Sequence, residues 1–179
     1  MAETPTLRSA IGHTTRDRIS VRGHDVVEEL MGGRDFVEVA YLQMTGAFPT
    51  PGQKVLLDAM MVAISDHGLT PSALAARLTH YGAPEAMQNA VAAGLLGAGS
   101  VVLGAMQNAA ELLQREVAAR GLTAEQDMAA AAREIVERER AAGRRLPGVG
   151  HPIHLDGDPR VPKLLGLARE QGLYGVHLA

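Results

Sequence analysis

Between Gly148 and Arg160 the chain reads Gly148-Val149-Gly150-His151-Pro152-Ile153-His154-Leu155-Asp156-Gly157-Asp158-Pro159-Arg160. Two imidazoles, two carboxylates and one guanidinium share this stretch with three glycines and two prolines. Breakers at that density exclude a helix, so the backbone must follow a specific non-helical path. Imidazole exchanges a proton near neutral pH, and arginine offers a planar fork that grips both oxygens of a carboxylate. Together they suit a small polycarboxylate. A second histidine site lies in Ser65-Asp66-His67-Gly68, directly after a strongly apolar helical run. Ser and Asp are poor interior helix residues, so the helix ends there. An imidazole at such an end either serves the helix dipole or faces a cleft with its hydrogen bonds satisfied. His67, His151, His154 and Arg160 gathered in one place would form an anion pocket able to transfer protons.

Other chemistries are weaker. His151 and His154 could pair on zinc with His67 as third ligand, but their Gly-Pro setting lacks the helical HExxH spacing, and no metal site is expected. There is no G-x-S-x-G nucleophile turn, and neither a Walker-type nor a dinucleotide glycine pattern. Cysteine is absent, which excludes disulfides, thiolate metal sites and cysteine nucleophiles. Arg138, Arg140, Arg144 and Arg145 form a basic cluster that would ordinarily be a solvated face. Lying just before the histidine loop, Arg144 and Arg145 are also placed to meet the phosphates of a large anionic cofactor. His13, His24, His80 and His177 have no such company and read as surface or packing residues.

The elements that must position these groups are helices. The 179 residues fit one domain, or one large and one small lobe. Hydrophobic residues make up 46% but aromatics only 3%, with no Trp, so the core must be built from Ala, Leu, Val and Met. Small apolar side chains let helices approach closely and favour an all-α protein. The net charge of −3 marks the surface for neither nucleic acid nor anionic membrane. No apolar run spans a bilayer and the N-terminus has no signal core, so the expected compartment is the cytoplasm.

Asp35-Phe36-Val37-Glu38 reads as a capping box opening a helix toward Gly46, and Thr50-Pro51-Gly52-Gln53 as a second start. From Val55 to Ile64 that second helix is apolar on every face except Asp58, so it should be buried by other helices or by a partner subunit. Thr70-Pro71 opens a helix ending at Gly82, and two more run from Glu85 to Leu96 and after Gly104. Thr123-Ala124-Glu125-Gln126 is a further box before a charged outer helix reaching about Arg140. Asp158-Pro159 caps a last helix ending near Gly172. Gly94, Gly97, Gly99 and Gly104 read as close helix contacts or a flexible turn. Strand signals hardly appear.

The order of segments resembles the citrate synthase superfamily. Arg22-Gly23-His24-Asp25, Glu28-Glu29-Leu30, Phe36 to Leu42, Gly46 and Pro49-Thr50 are similar to the N-terminal part of citrate synthases. Ser65 to Gly68 resembles that family's first active-site histidine segment. Ala75-Ala76-Arg77 and the glycine-rich stretch from Ala93 to Gly104 follow in order. Gly148 to His151 with Asp158-Pro159-Arg160 resembles its second histidine loop. The resemblance implies an all-α homodimer with a large and a small domain, here residues 1–97 and 98–172, with 173–179 returning toward the large domain. It implies that His67 and His151 contact the organic acid and act in catalysis, and that Arg160 clamps a carboxylate. Coenzyme A thioester would enter as substrate, with Arg144 and Arg145 near its phosphates, and no tightly bound cofactor is expected. Neither nucleic acid nor membrane is an expected partner.

Two departures bear on the reaction. Citrate synthases carry a third histidine in a Gly-Pro-Leu-His-Gly-Gly turn, whereas this chain reads Gly99-Ser100-Val101-Val102-Leu103-Gly104-Ala105, with valine at the imidazole's place. Citryl-CoA lyases and the lyase module of ATP-citrate lyase also lack that histidine, so the chain resembles the lyases more, although it lacks their Arg-Phe pair too. Family members also continue past Gly172-Leu173-Tyr174-Gly175 into a segment bearing a catalytic aspartate, whereas this sequence stops at Ala179. The expectation is a longer natural polypeptide, or else a protein without that carboxylate. The implied activity is citryl-CoA lyase-like cleavage of a 3-hydroxy-3-carboxyacyl-CoA to acetyl-CoA and oxaloacetate. The alternatives are citrate synthase condensation and a non-catalytic homologue that binds coenzyme A or a dicarboxylate. The 179 residues alone are expected to turn over little.

Overall fold

A computed structural model of the chain describes residues 9–66, 68–101, 103–123, 128–151 and 153–179. His67, Val102, Pro152 and three residues of the box at Thr123, namely Ala124, Glu125 and Gln126, lie outside the described residues. The chain divides into two compact units, Met1–Val62 and Ala63–Ala179. The lobe boundary expected after residue 97 falls inside the second.

The first unit begins with a small antiparallel sheet in the order β1 (Gly12–Thr14), β2 (Ile19–Val21), β3 (His24–Asp25). His13 pairs with Ser20, and Val21 with His24. Sequence patterning gave no sign of these strands. The β2–β3 turn is Arg22-Gly23, with φ of 50° and 88°. Two successive positive φ values make a tight hairpin turn, which Asn-Gly announces and Arg-Gly does not. Arg22 is held there because its guanidinium donates twice to the Gln43 carbonyl, at 2.7 and 3.2 Å. A single π-helical turn, Val26–Leu30, follows with Asp25 capping the N–H groups of Val27 and Glu28. Then comes α1 (Phe36–Thr45), whose capping box is present in both directions between Asp35 and Glu38. Leu30 and Leu42 are buried apolar residues of this unit.

Helix α2 (Pro51–Ala63) starts where Thr50 and Gln53 exchange side-chain bonds, at 2.9 and 3.3 Å. None of its residues is buried, and Met61 and Val62 are 50% and 66% exposed. The described residues therefore do not cover α2, which corrects the expectation of a centrally packed helix.

In the second unit α3 (Pro71–Gly82) begins at the Thr70 cap and packs against α4 (Met87–Leu96). The glycines explain how close these helices come. A methyl at Gly97 would sit 3.2 Å from the Ser72 Cα, and one at Gly94 would sit 3.4 Å from the Ala76 methyl. Helices α5 (Gly104–Arg120) and α6 (Met128–Ala141) are joined by charge. Arg138 on α6 reaches Glu116 on α5 through both terminal nitrogens, at 3.1 and 2.8 Å. The reading of α6 as an outer charged helix is therefore incomplete: Met128, Ala131 and Glu139 are buried on it. The last helix, α7 (Arg160–Glu170), has Ala168 buried at 1% exposure. Among the described residues no helix is long and apolar enough to cross a membrane.

Candidate functional site

The histidine loop joins α6 to α7 and is anchored at both ends. At its start Gly148 (φ 73°) lies so near α5 that an added methyl would fall 2.9 Å from that of Ala109. Only glycine combines that backbone angle with that approach. At its end the Asp158 carboxylate accepts the backbone N–H of Arg160 at 2.9 Å, where α7 begins.

Inside the loop His151 Nδ1 accepts two backbone N–H groups, from Ile153 at 3.1 Å and His154 at 3.2 Å. An imidazole nitrogen that accepts carries no hydrogen, so these bonds assign the proton of the neutral ring to Nε2. His151 is thereby set to donate a hydrogen bond to an oxygen rather than to take a proton from one. The His154 ring lies beside it, centroids 4.6 Å apart and planes inclined by 34°.

Arg160 faces Asp158 across the loop. Its Nε lies 2.9 and 3.2 Å from the two carboxylate oxygens, and its Nη2 lies 2.6 Å from one of them. This fork holds the Asp158 carboxyl well below the usual carboxylate range, helped by the Arg160 backbone N–H and then by the charges of Arg160 and His154. The remaining nitrogen, Nη1, donates to the Ala63 carbonyl at 3.2 Å. Ala63 closes α2, four residues before His67. The second histidine loop is thus tied to the chain leading into the first histidine segment. There Asp66 Oδ1 receives the N–H of Gly68 at 3.1 Å.

One donor atom from each of His151, His154 and Asp158 falls within 4.8 Å of the others. That spacing is compatible with a cation, but both Asp158 oxygens already accept from Arg160, and a guanidinium beside the cluster repels a cation. The donor set suits proton handling and anion binding better than metal ligation.

Arg144 and Arg145 line a cleft of about 610 Å³ together with Arg115, Glu116, Arg138 and Glu139. A neighbouring cavity of about 380 Å³ shares both arginines and extends to Val149, two residues before His151. The cluster is not a simple solvated face. Buried Glu139 accepts from Arg144 Nε at 2.6 Å and from Arg138 at 3.0 and 3.1 Å. Buried Glu116 accepts from Arg138, Arg115 and Arg120. These guanidinium hydrogen bonds lower both carboxyls to about 2. Arg144 keeps its two terminal nitrogens uncommitted, and Arg145 has no hydrogen-bond partner among the described residues. The arginines were legible in the sequence; the buried glutamates behind them were not, because Glu116 and Arg138 are 22 positions apart.

A family model described as citrate synthase, C-terminal domain, matches residues 43–174. The citryl-CoA lyase of Hydrogenobacter thermophilus is similar in structure with a TM-score of 0.82 at 30% identity, over 97% of this chain and 64% of that one. The chain therefore spans less than two thirds of that lyase. The ATP citrate lyase of Methanothrix soehngenii, solved with citrate and coenzyme A, gives a TM-score of 0.74 at 21% identity, over 95% of this chain and 26% of that one. A variant of the Methanosaeta concilii enzyme, in complex with (3S)-citryl-CoA, gives 0.74 at 22% over the same shares. At those identities the two lyases speak for the fold alone. No curated protein sequence matches the chain. A family model covering well over half of the sequence, together with a helical fold shared with citryl-CoA lyase, decides the assignment: the chain belongs to the citrate synthase family.

Proposed function

We propose that the protein cleaves a 3-hydroxy-3-carboxyacyl-CoA of the citryl-CoA type to acetyl-CoA and oxaloacetate. The observation that supports this reading is the bond from Arg160 to the Ala63 carbonyl, because it ties the carboxylate clamp at the end of the His151 loop to the chain that leads toward the His67 segment. Arg160 takes a substrate carboxylate in place of, or alongside, Asp158. His151, with its hydrogen on Nε2, donates to the oxygen that is hydroxyl in the substrate and carbonyl in oxaloacetate. That bond strengthens as negative charge develops on the oxygen. His67 supplies the second contact to the organic acid. Arg144 and Arg145 meet the phosphates of the coenzyme A moiety, with Glu139 fixing the first of them. Coenzyme A thioester is the substrate, and no further cofactor is called for. The similarity to citryl-CoA lyase and the valine-rich turn at Gly99–Gly104 favour cleavage over condensation.

The same turn supports a second reading, a homologue that binds coenzyme A or a dicarboxylate without turnover. Purified protein given citryl-CoA separates the two. Cleavage releases oxaloacetate and acetyl-CoA in equal amounts. Binding of coenzyme A without product would replace the lyase with the binding protein. We further propose that two copies associate through α2, and that the protein acts in the cytoplasm.

A further inference from the structure

We infer that His154 is the catalytic base that takes the substrate's hydroxyl proton, the side-by-side imidazoles of the loop dividing the work between a fixed donor and a free acceptor. The inference rests on the proposed cleavage and names the group that cleavage needs.

The argument is a count of lone pairs. The His151 lone pair is spent on the N–H groups of Ile153 and His154. Both Asp158 oxygens are engaged by Arg160. Glu116 and Glu139 belong to the arginine network on α5 and α6. Asp156 is exposed and outside the cluster. Neither ring nitrogen of His154 is hydrogen-bonded to a described residue, and the ring is half-buried 4.6 Å from that of His151. An oxygen receiving the His151 Nε2 hydrogen therefore lies within reach of His154. A His154 nitrogen and an Asp158 oxygen are within 4.8 Å of each other, so the carboxylate stabilises the imidazolium that proton uptake creates. Among the described residues, the titratable groups beside His154 are His151 and Asp158, with Arg160 bound to the latter. Where the loop packs on α5, that helix presents Ala105 and Ala109.

The step balances. The substrate O–H bond breaks and its proton moves to His154. The oxygen's electron pair becomes the new C=O bond of oxaloacetate as the C–C bond breaks. The released pair passes to the acetyl carbon as a thioester enolate, which takes a proton from water. His154 then returns its proton to the resulting hydroxide, so citryl-CoA yields oxaloacetate and acetyl-CoA with nothing added.

The experiment is the pH–rate profile of citryl-CoA cleavage by the intact protein and by His154→Gln, with oxaloacetate binding measured on both. General-base catalysis contributes about 10²–10⁴-fold. We expect kcat to fall by that factor in the variant, oxaloacetate affinity to hold within threefold, and the acid limb of the profile to disappear. Added imidazole should restore part of the rate. A variant within threefold of the parent in kcat, with the acid limb intact, would overturn the assignment. Should the variant fail to fold, His154→Asn takes its place with the same two outcomes, and a parent kcat independent of pH from 8 down to 5 overturns the inference by itself. A parent that does not cleave citryl-CoA removes the proposed function and this base with it. An active parent with an indifferent variant removes only the base.

Discussion

On the proposed function, Arg160 is the residue on which ligand binding turns, because its fork already grips the Asp158 carboxylate. Asp158 holds the guanidinium where a substrate carboxylate can join it, so the clamp is oriented before the ligand arrives. Oxaloacetate or citrate should raise the melting temperature with occupancy. Arg160→Ala should abolish most of that rise, since a carboxylate left unpaired in the pocket is costly. Arg160→Lys should restore little of it, because a single ammonium cannot reproduce the two-pronged bond. His80→Ala should leave the ligand-induced rise intact, and equal rises in parent and Arg160→Ala would refute the clamp. A second prediction concerns Glu116 and Glu139. Their carboxyls titrate near 2 in the folded chain instead of the ordinary 4.5. A folded-state value below the unfolded one stabilises the fold above about pH 4.5, and that contribution is lost as the pH falls toward 2. The melting temperature should therefore fall across that window. Glu139→Gln should lower stability at pH 7 and flatten the acid slope; an unchanged slope would count against the network.

At the scale of elements, the loop is set by how α5 receives it. Gly148→Ala meets the Ala109 methyl and also requires an L-residue at φ 73°, whereas Gly150→Ala, at φ 93°, meets nothing within 4 Å. The second change should cost only the backbone term, about 1–2 kcal/mol. The first should cost more and should also weaken organic-acid binding, because it lifts the loop bearing His151 from its helix. Ala109→Gly in the Gly148→Ala background should recover part of the loss, and thermal melts of the four variants test this; equal losses at the two glycines would contradict it. The contrast between these residues also marks what was legible beforehand. The starts at Asp35, Thr50 and Thr70 could be read because a cap is made by residues three apart. The loop's His151 and Arg160 could be read because their chemistry is local. The β2–β3 hairpin could not, because its turn depends on Arg22 being tied to a carbonyl 21 residues away. Nor could the buried glutamates, whose partners arrive from another helix. His67, which the sequence singles out, lies outside the described residues, and its part in the pocket rests on the proposed function.

For the whole molecule, α2 is the element whose composition the isolated chain leaves unexplained. Val55, Met60, Met61 and Val62 are all between 40% and 66% exposed, and Lys54, engaged with Asp35, and Asp58 are the helix's charged residues. Apolar surface of that density on one helix marks an interaction site. Ala59 and Ala63 are small enough to admit a second helix at close range. A second copy is the simplest occupant, because the two α2 helices would then cover one another about a two-fold axis, each side chain being used twice. Each methionine or valine so buried contributes about 1.5–3 kcal/mol. The protein should therefore scatter light as a species of twice its chain mass at micromolar concentration. Met61→Glu should place two carboxylates near the axis, where their desolvation and mutual repulsion oppose association, and should yield the monomer. Because the histidine loop is anchored on α5 and α7, the variant's first effect should be on mass rather than on the fold, with helical content by circular dichroism preserved. A parent that is monomeric throughout the micromolar range would exclude a self-covering α2, and the helix would then need a different partner.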